Sequence, residues 1–227
     1  MLERVERVTT DVIVAERLKT WIIDNQLQPG DRLPTEQQLC GELGVARHTL
    51  REGIKRLAQL GIVESRTGSG MYISNMSFDN MAEYMLFLKQ RGDISVDDIC
   101  NVRSVLECYV ARTVALVVDD AHIRQLHVHL ENMKARCDEN DWENYVQEDI
   151  TFHLCLADAS DNQLLSGVIC ALRRIIRAHM SSLDRKTALN SYKQHCLIVD
   201  AIERHNPDLA AERMREHLAG IQGSYIS

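Results

Sequence analysis

Proline and glycine are scarce in this chain, 3 and 11 in 227 residues, which excludes collagen-like and proline-rich low-complexity classes. At 45% hydrophobic and 26% charged, the composition also excludes a disordered chain and suits one or two compact domains. A continuous apolar run of about 18 residues is missing. The opening MLERVERVTTDVIV carries five charged residues ahead of its first apolar stretch, four of them within the first seven positions, unlike a signal peptide. Neither a membrane partner nor export is expected, and the chain is predicted to be soluble and cytoplasmic. The seven cysteines at 40, 100, 108, 137, 155, 170 and 196 show no Cys-x-x-Cys spacing. An odd, scattered set predicts reduced thiols in a reducing compartment, used for packing.

Positive charge is not in excess either. The formal net charge is -7, which argues against a duplex-DNA partner because DNA is itself a dense row of negative charges. The imbalance is local, however. Residues 1–75 hold 10 Lys/Arg against 10 Asp/Glu, leaving 16 against 23 in residues 76–227. A neutral first segment with clustered arginines escapes the objection.

The rhythm of the chain changes near residue 75. Val12, Ile13, Leu18, Trp21 and Ile22 recur at helical spacing, and Gln28-Pro29-Gly30-Asp31 then forms a turn. Thr35 with Gln38 three residues on reads as a capping box, opening a helix that Gly44 ends. Leu50, Ile54 and Leu57 mark one face of the next helix, whose first turns hold Arg47, His48, Thr49 and Arg51. Ile62–Ser65 and Met71–Ser74 are short and β-prone, around the tip Arg66-Thr67-Gly68-Ser69-Gly70. This order of elements spells a winged helix-turn-helix over residues 1–75, followed by a linker at 76–80.

A recognition helix reads the major groove with its N-terminal residues, and the guanidinium fork of arginine matches guanine O6 and N7. Any amphipathic helix carries charge on its solvated face, so the order of elements, more than the arginines alone, favours DNA. The stretch from Gln28 to Ile73, with Pro29-Gly30, Leu33-Pro34-Thr35-Glu36, Leu43-Gly44-Val45-Ala46-Arg47 and Gly68-Ser69-Gly70, resembles the GntR family of bacterial transcriptional regulators. The resemblance implies operator DNA as partner. The candidate DNA-binding residues are Arg32, Thr35, Arg47, His48, Thr49, Arg51, Arg66, Thr67 and Gly68. Ala46 and Gln37 depart from the family pattern, which usually has Ser or Thr and often Arg there, and imply weaker phosphate contact.

Residues 81–227 show helical periods at about 79–90, 95–117, 120–139, 141–159, 161–180, 185–204 and 207–223, and no strand pattern. An antiparallel all-α bundle is expected, making the whole chain mainly α. Ile99, Val102, Leu106, Val110 and Val117 form one apolar stripe, and Ile198, Ile202, Leu209, Met214 and Leu218 another. The motifs Arg103…Leu106-Glu107, Asp149…Phe152-His153, Ala159-Ser160-Asp161-Asn162, and His195 and His217 in the last two helices resemble the FadR-like branch, whose C-terminal FCD domain is such a bundle.

Asp149 and His153 lie four apart, about 40° offset on one helical face. With two imidazoles from later helices they make an O/N donor set suited to Zn²⁺, Ni²⁺ or Mn²⁺. Taken alone, an Asp-x-x-x-His pair is more often a plain helix surface pair. The resemblance implies that Asp149, His153, His195 and His217 are ligands of one divalent ion per chain. It also implies a small organic acid as effector and a homodimer reading an inverted repeat. Arg103, Asn162 and Arg177 are the candidate effector-binding residues, although Arg103 could equally pair with Glu107 and Asn162 could cap a helix. Among Arg173, Arg174 and Arg177, at least one is expected to face the cavity. His179 is expected to line the same cavity, while His122, His127, His129 and His205 read as surface residues and Cys155 and Cys196 as packing. The reading is a ligand-responsive transcriptional repressor and not an enzyme. A metal-dependent hydrolase with an appended DNA-binding module is the alternative, with Glu107 and Glu148 as weak candidates for its base. A plain architectural DNA-binding protein would need no polar set inside the bundle.

Overall fold

The computed structural model describes residues 9–74, 78–177 and 184–222. Contacts divide the chain into two compact units, Met1–Asn80 and Met81–Ser227.

The first unit holds α1 (Thr10–Asp24), α2 (Glu36–Leu43), α3 (Arg47–Gln59) and a two-stranded sheet of β1 (Val63–Arg66) and β2 (Gly70–Ile73). Thr35 and Gln38 cap the start of α2 reciprocally, offsetting two of the amide donors that every helix start leaves open. Gly44 takes φ 66° and closes the helix, so α3 can begin three residues later. The strands run antiparallel with Val63 opposite Ile73 and Arg66 opposite Gly70, and an isolated bridge joins Arg32 to Tyr72. Val14, Leu18, Leu39, Leu50, Leu57, Val63 and Ile73 are buried together. The inward face of α1 differs from the expected one. Val14, Ala15, Leu18 and Ile22 are buried, whereas Ile13 is exposed and Trp21 only half-buried.

The second unit is helical among its described residues: α4 (Asp79–Arg91), α5 (Val96–Val117), α6 (Asp120–Glu139), α7 (Trp142–Asp158), α8 (Gln163–Arg177), α9 (Arg185–Glu203) and α10 (Pro207–Gln222). Side-chain caps set several starts: Ser95 with Asp98 for α5, Asp119 for α6, Asp141 for α7 and Asp184 for α9. Its main core gathers Val110, Val114, Leu126, Met133, Phe152, Leu156, Ile198, Ile202 and Met214. A smaller cluster of Ile99, Cys100, Leu172, Ile175 and Ile176 joins α5 to α8. The α5 stripe is corrected: Val102 and Val117 are exposed, and the buried line runs Ile99, Arg103, Glu107, Val110, Ala111 and Val114. Residues 178–180 of the expected 161–180 helix lie outside the described residues. Among the described residues no helix is long and apolar enough to cross a membrane.

Candidate functional site

Two places gather the residues singled out above. In the first unit, Arg47, His48 and Arg51 are exposed at the start of α3 while Leu50 and Leu57 are fully buried behind them. Thr49 is half-buried, with its Oγ1 3.2 Å from His48 Nε2. The Nε of Arg51 donates to both Glu36 carboxylate oxygens at 2.9 and 3.1 Å, tying α3 to α2. The Glu36 carboxyl is held below the usual range by that hydrogen bond. Arg66 pairs with Glu64 at 2.6 Å and lies over the Tyr72 ring. Arg32, Thr35, Arg66, Thr67 and Gly68 line one open groove of about 300 Å³ between the hairpin and the start of α2. Exposed pairs such as Arg51–Glu36 and Arg66–Glu64 are worth at most about 1 kcal/mol, so phosphate can displace them.

In the second unit, α7, α9 and α10 bring Asp149, His153, His195 and His217 together, all buried. One ligand atom from each lies within 4.8 Å of the others. The Nε2 of His153 is 3.1 Å from that of His195 and 3.2 Å from that of His217, and His195 Nε2 is 3.2 Å from Asp149 Oδ1. Ligand atoms at about 2.0–2.2 Å from one ion stand about 2.8–3.6 Å apart at adjacent corners, the shorter values octahedral and the longer tetrahedral. The three spacings just given fall in that interval, and the remaining pairs lie within 4.8 Å. The Nδ1 atoms of His195 and His217 are buried without a hydrogen-bond partner, so both rings are held by packing, partly against Phe152 in the case of His195.

Two charged side chains that sequence reasoning left at the margin sit against this set. Arg173, on α8, donates from Nη1 to Asp149 Oδ2 at 3.0 Å and from Nη2 to Glu107 Oε2 at 2.7 Å. Glu107 Oε2 is also 2.6 Å from His153 Nδ1, and Glu107 Oε1 accepts from Arg103 Nε at 2.8 Å. Glu107, Arg103 and Arg173 are all buried. Two carboxylates and two guanidinium groups thus balance in charge around three imidazoles. Burial alone would raise the Glu107 carboxyl, but Arg173 and Arg103 carry it well below its ordinary value. Asp149 behaves likewise, burial being outweighed by His195, His153 and Arg173. Burial, then the charge of Arg173, push the His153 imidazole down to about 4. The His217 ring is lowered well below its usual value by burial and its neighbouring imidazoles. The signal for Glu107 was present: an oppositely charged i,i+4 pair in an apolar helix face.

The expected effector trio is not brought together. Arg103 is buried against Glu107, the second of the two readings given for it, and Asp149 is contacted by Arg173. Asn162 accepts from the Leu165 amide at 3.0 Å, a cap at the start of α8. Arg177 is exposed and donates to Gln147 Oε1 at 2.7 Å. His122 and His127 are paired with Asp119 and Glu203 near the surface, but His129 is half-buried against Glu148. His205 is exposed, with Nδ1 on the Ala115 carbonyl. His179 lies outside the described residues. All seven cysteines are free, Cys155 and Cys196 being half-buried.

Comparison with known proteins matches both units. Residues 11–73 match the model of the bacterial regulatory proteins of the gntR family, and residues 98–220 match the FCD domain. The Glc operon transcriptional activator of Escherichia coli (strain K12) is 28% identical over 220 residues, covering 92% of this chain and 86% of the relative. The HTH-type transcriptional regulator LutR of Bacillus subtilis (strain 168) is 28% identical over 208 residues, covering 88% and 94%. The HTH-type transcriptional repressor NanR of Enterobacter sp. (strain 638) is 27% identical, covering 94% and 84%. Among solved structures, the Streptococcus agalactiae GntR superposes with a TM-score of 0.79 at 27% identity, over 94% of this chain and 99% of that one. A winged helix-turn-helix of the gntR type followed by a helical FCD domain makes this chain a member of the GntR family of DNA-binding transcriptional regulators, in its FadR-like FCD branch.

Proposed function

We propose that the chain is a ligand-responsive repressor that binds an inverted-repeat operator as a homodimer and senses a small organic acid through a divalent ion in its helical unit. The observation that carries this reading is the convergence of three Nε2 atoms and one carboxylate oxygen in a buried centre. Asp149, His153, His195 and His217 would hold Zn²⁺, Ni²⁺ or Mn²⁺, all of which accept this O/N donor set. The ion would supply Lewis-acid positions for a carboxylate. Because Arg103 and Arg173 already balance Glu107 and Asp149, the two positive charges of an ion stand uncompensated. That imbalance favours an anionic ligand in a site of low dielectric.

A hydrolase would need a carboxylate free to take a proton from water. Glu107 is engaged by Arg103, Arg173 and the His153 ring, and Glu148 by His129. Both are therefore committed to other partners, and the sensor reading stands ahead of the enzyme. On the DNA side, Arg47, His48 and Arg51 present cations and donors at the start of α3, with the wing groove of Arg32, Thr35, Arg66, Thr67 and Gly68 available for phosphate.

Metal analysis of the purified chain tests the reading. The expected result is close to one divalent ion per chain, lost in His195→Ala and in His217→Ala. If extensively purified protein carries none, and added Zn²⁺, Ni²⁺ or Mn²⁺ leaves its melting temperature unchanged, the sensor reading fails.

A further inference from the structure

We propose that Glu107 is the positioning residue of the His/Asp centre: it keeps the proton of His153 on Nδ1, so that Nε2 faces His195 and His217 as a bare lone pair. The inference rests on the metal reading above for its purpose, but the ring arrangement it describes exists without an ion. Glu107 Oε2 lies 2.6 Å from His153 Nδ1. The ring N–H points off the line to that oxygen, so the contact is not a regular hydrogen bond. At this separation an unprotonated Nδ1 would set its lone pair against an anionic oxygen, so charge alone selects the Nδ1–H form.

The carboxylate cannot swing away to relieve the contact. Its Oε1 accepts from Arg103 and its Oε2 from Arg173, at 2.8 and 2.7 Å, and the three side chains are each no more than 3% exposed. The same Arg173 guanidinium also holds Asp149 Oδ2, which leaves Oδ1 toward His195. One buried arginine therefore orients both the carboxylate that touches His153 and the carboxylate expected as a ligand.

His195 and His217 differ in kind. No carboxylate lies against their Nδ1 atoms as Glu107 does against that of His153; the carboxylate beside His195, Asp149 Oδ1, faces its Nε2 at 3.2 Å and so favours a proton on the nitrogen that an ion would need bare. Either ring can keep the proton on Nε2 and donate toward His153, or move it to Nδ1 and offer Nε2 to an ion. His153 is thus the ligand set in advance, and the other two adjust to it. Carboxylate partners of ligand histidines act in this way, fixing tautomer and ring orientation and raising basicity. Here α5 contributes no ligand atom yet governs one.

Long-range ¹H–¹⁵N correlation spectra of the metal-free full chain test this, with His153→Gln identifying the ring. The expected result is a neutral His153 protonated on Nδ1. Glu107→Gln, whose amide can either donate or accept, should mix the two tautomers and weaken Zn²⁺ binding about 10- to 100-fold in competition with a chromophoric chelator. The melting temperature of metal-free Glu107→Gln separates this effect from loss of fold. A wild-type His153 protonated on Nε2 overturns the proposal, as does a folded Glu107→Gln with unchanged tautomer and unchanged Zn²⁺ affinity. If Glu107→Gln fails to fold, the wild-type spectrum decides alone. A wild-type chain with the Nδ1–H tautomer that binds none of Zn²⁺, Ni²⁺ and Mn²⁺ would remove the metal reading and leave the role of Glu107 in place.

Discussion

At the residue scale, neutral imidazoles are confined where a positive charge is costly. In the folded chain burial, as the first cause in both, pushes His153 down to about 4 and His217 well below its usual 6.5. An unfolded imidazole takes up a proton near pH 6.5, so below that pH the unfolded chain binds more protons than the folded one. Stability therefore falls as pH drops from about 6.5 toward 4, by up to about 1.4 kcal/mol per pH unit for each such ring. Asp149 and Glu107, both depressed, add a further loss as pH falls through the carboxylate range. Urea midpoints of chelator-treated protein between pH 7.5 and 4.5 should decline steeply, and less so for His153→Gln. A flat profile would mean that the centre relaxes and hydrates on protonation.

At the element scale, the clearest constraint is the crossing of α1 and α3. A Cβ added at Gly53 would lie 2.6 Å from Val14 Cγ1 and 3.2 Å from the Asp11 carbonyl. Alanine is the better helix former by about 1 kcal/mol, but overpacking at a backbone contact costs about 1–3 kcal/mol. Gly53→Ala should therefore lower stability by up to about 2 kcal/mol, read as a fall in the denaturant midpoint of the first unit. A gain in stability would show that the helices can separate freely.

How far such features can be read from sequence depends on whether they are local. The Thr35/Gln38 box and the Gly44 turn are written within three or four residues, and both stand as expected. The four-residue Asp149/His153 spacing placed two of the buried residues on one face. The phase of α5 was misread because an apolar stripe was sought, whereas the buried line passes through Arg103 and Glu107. Burial of those charges depends on Arg173, 66 residues further on, and no periodicity reports a partner at that distance. The close approach of Gly53 to Val14 was invisible for the same reason.

At the scale of the whole molecule, a unit that reads DNA and a unit that takes a ligand are coupled only if the ligand binds the DNA-competent and DNA-incompetent states with different free energy. Under the proposed reading, the cognate acid changes operator affinity about 5- to 150-fold, the range of a 1–3 kcal/mol coupling. His195→Ala keeps basal operator binding and loses the response. Arg47→Ala weakens operator binding yet keeps the acid-induced rise in melting temperature. Anisotropy titrations with a labelled operator separate these outcomes, and an equal response in wild type and His195→Ala would sever the link between the centre and DNA.

The buried centre has a mechanical side as well. Its side chains come from α5, α7, α8, α9 and α10, and they span the chain from Glu107 to His217. An ion bound there would clasp positions that are remote along the chain, as a reversible cross-link does, and so restrict the entropy of the opened state. Because α10 enters the centre through His217, that helix could not peel off α5 and α9 without first breaking a ligand bond. The ion would then bear on the order in which the helices come apart, holding the last helix in place until its ligand bond breaks.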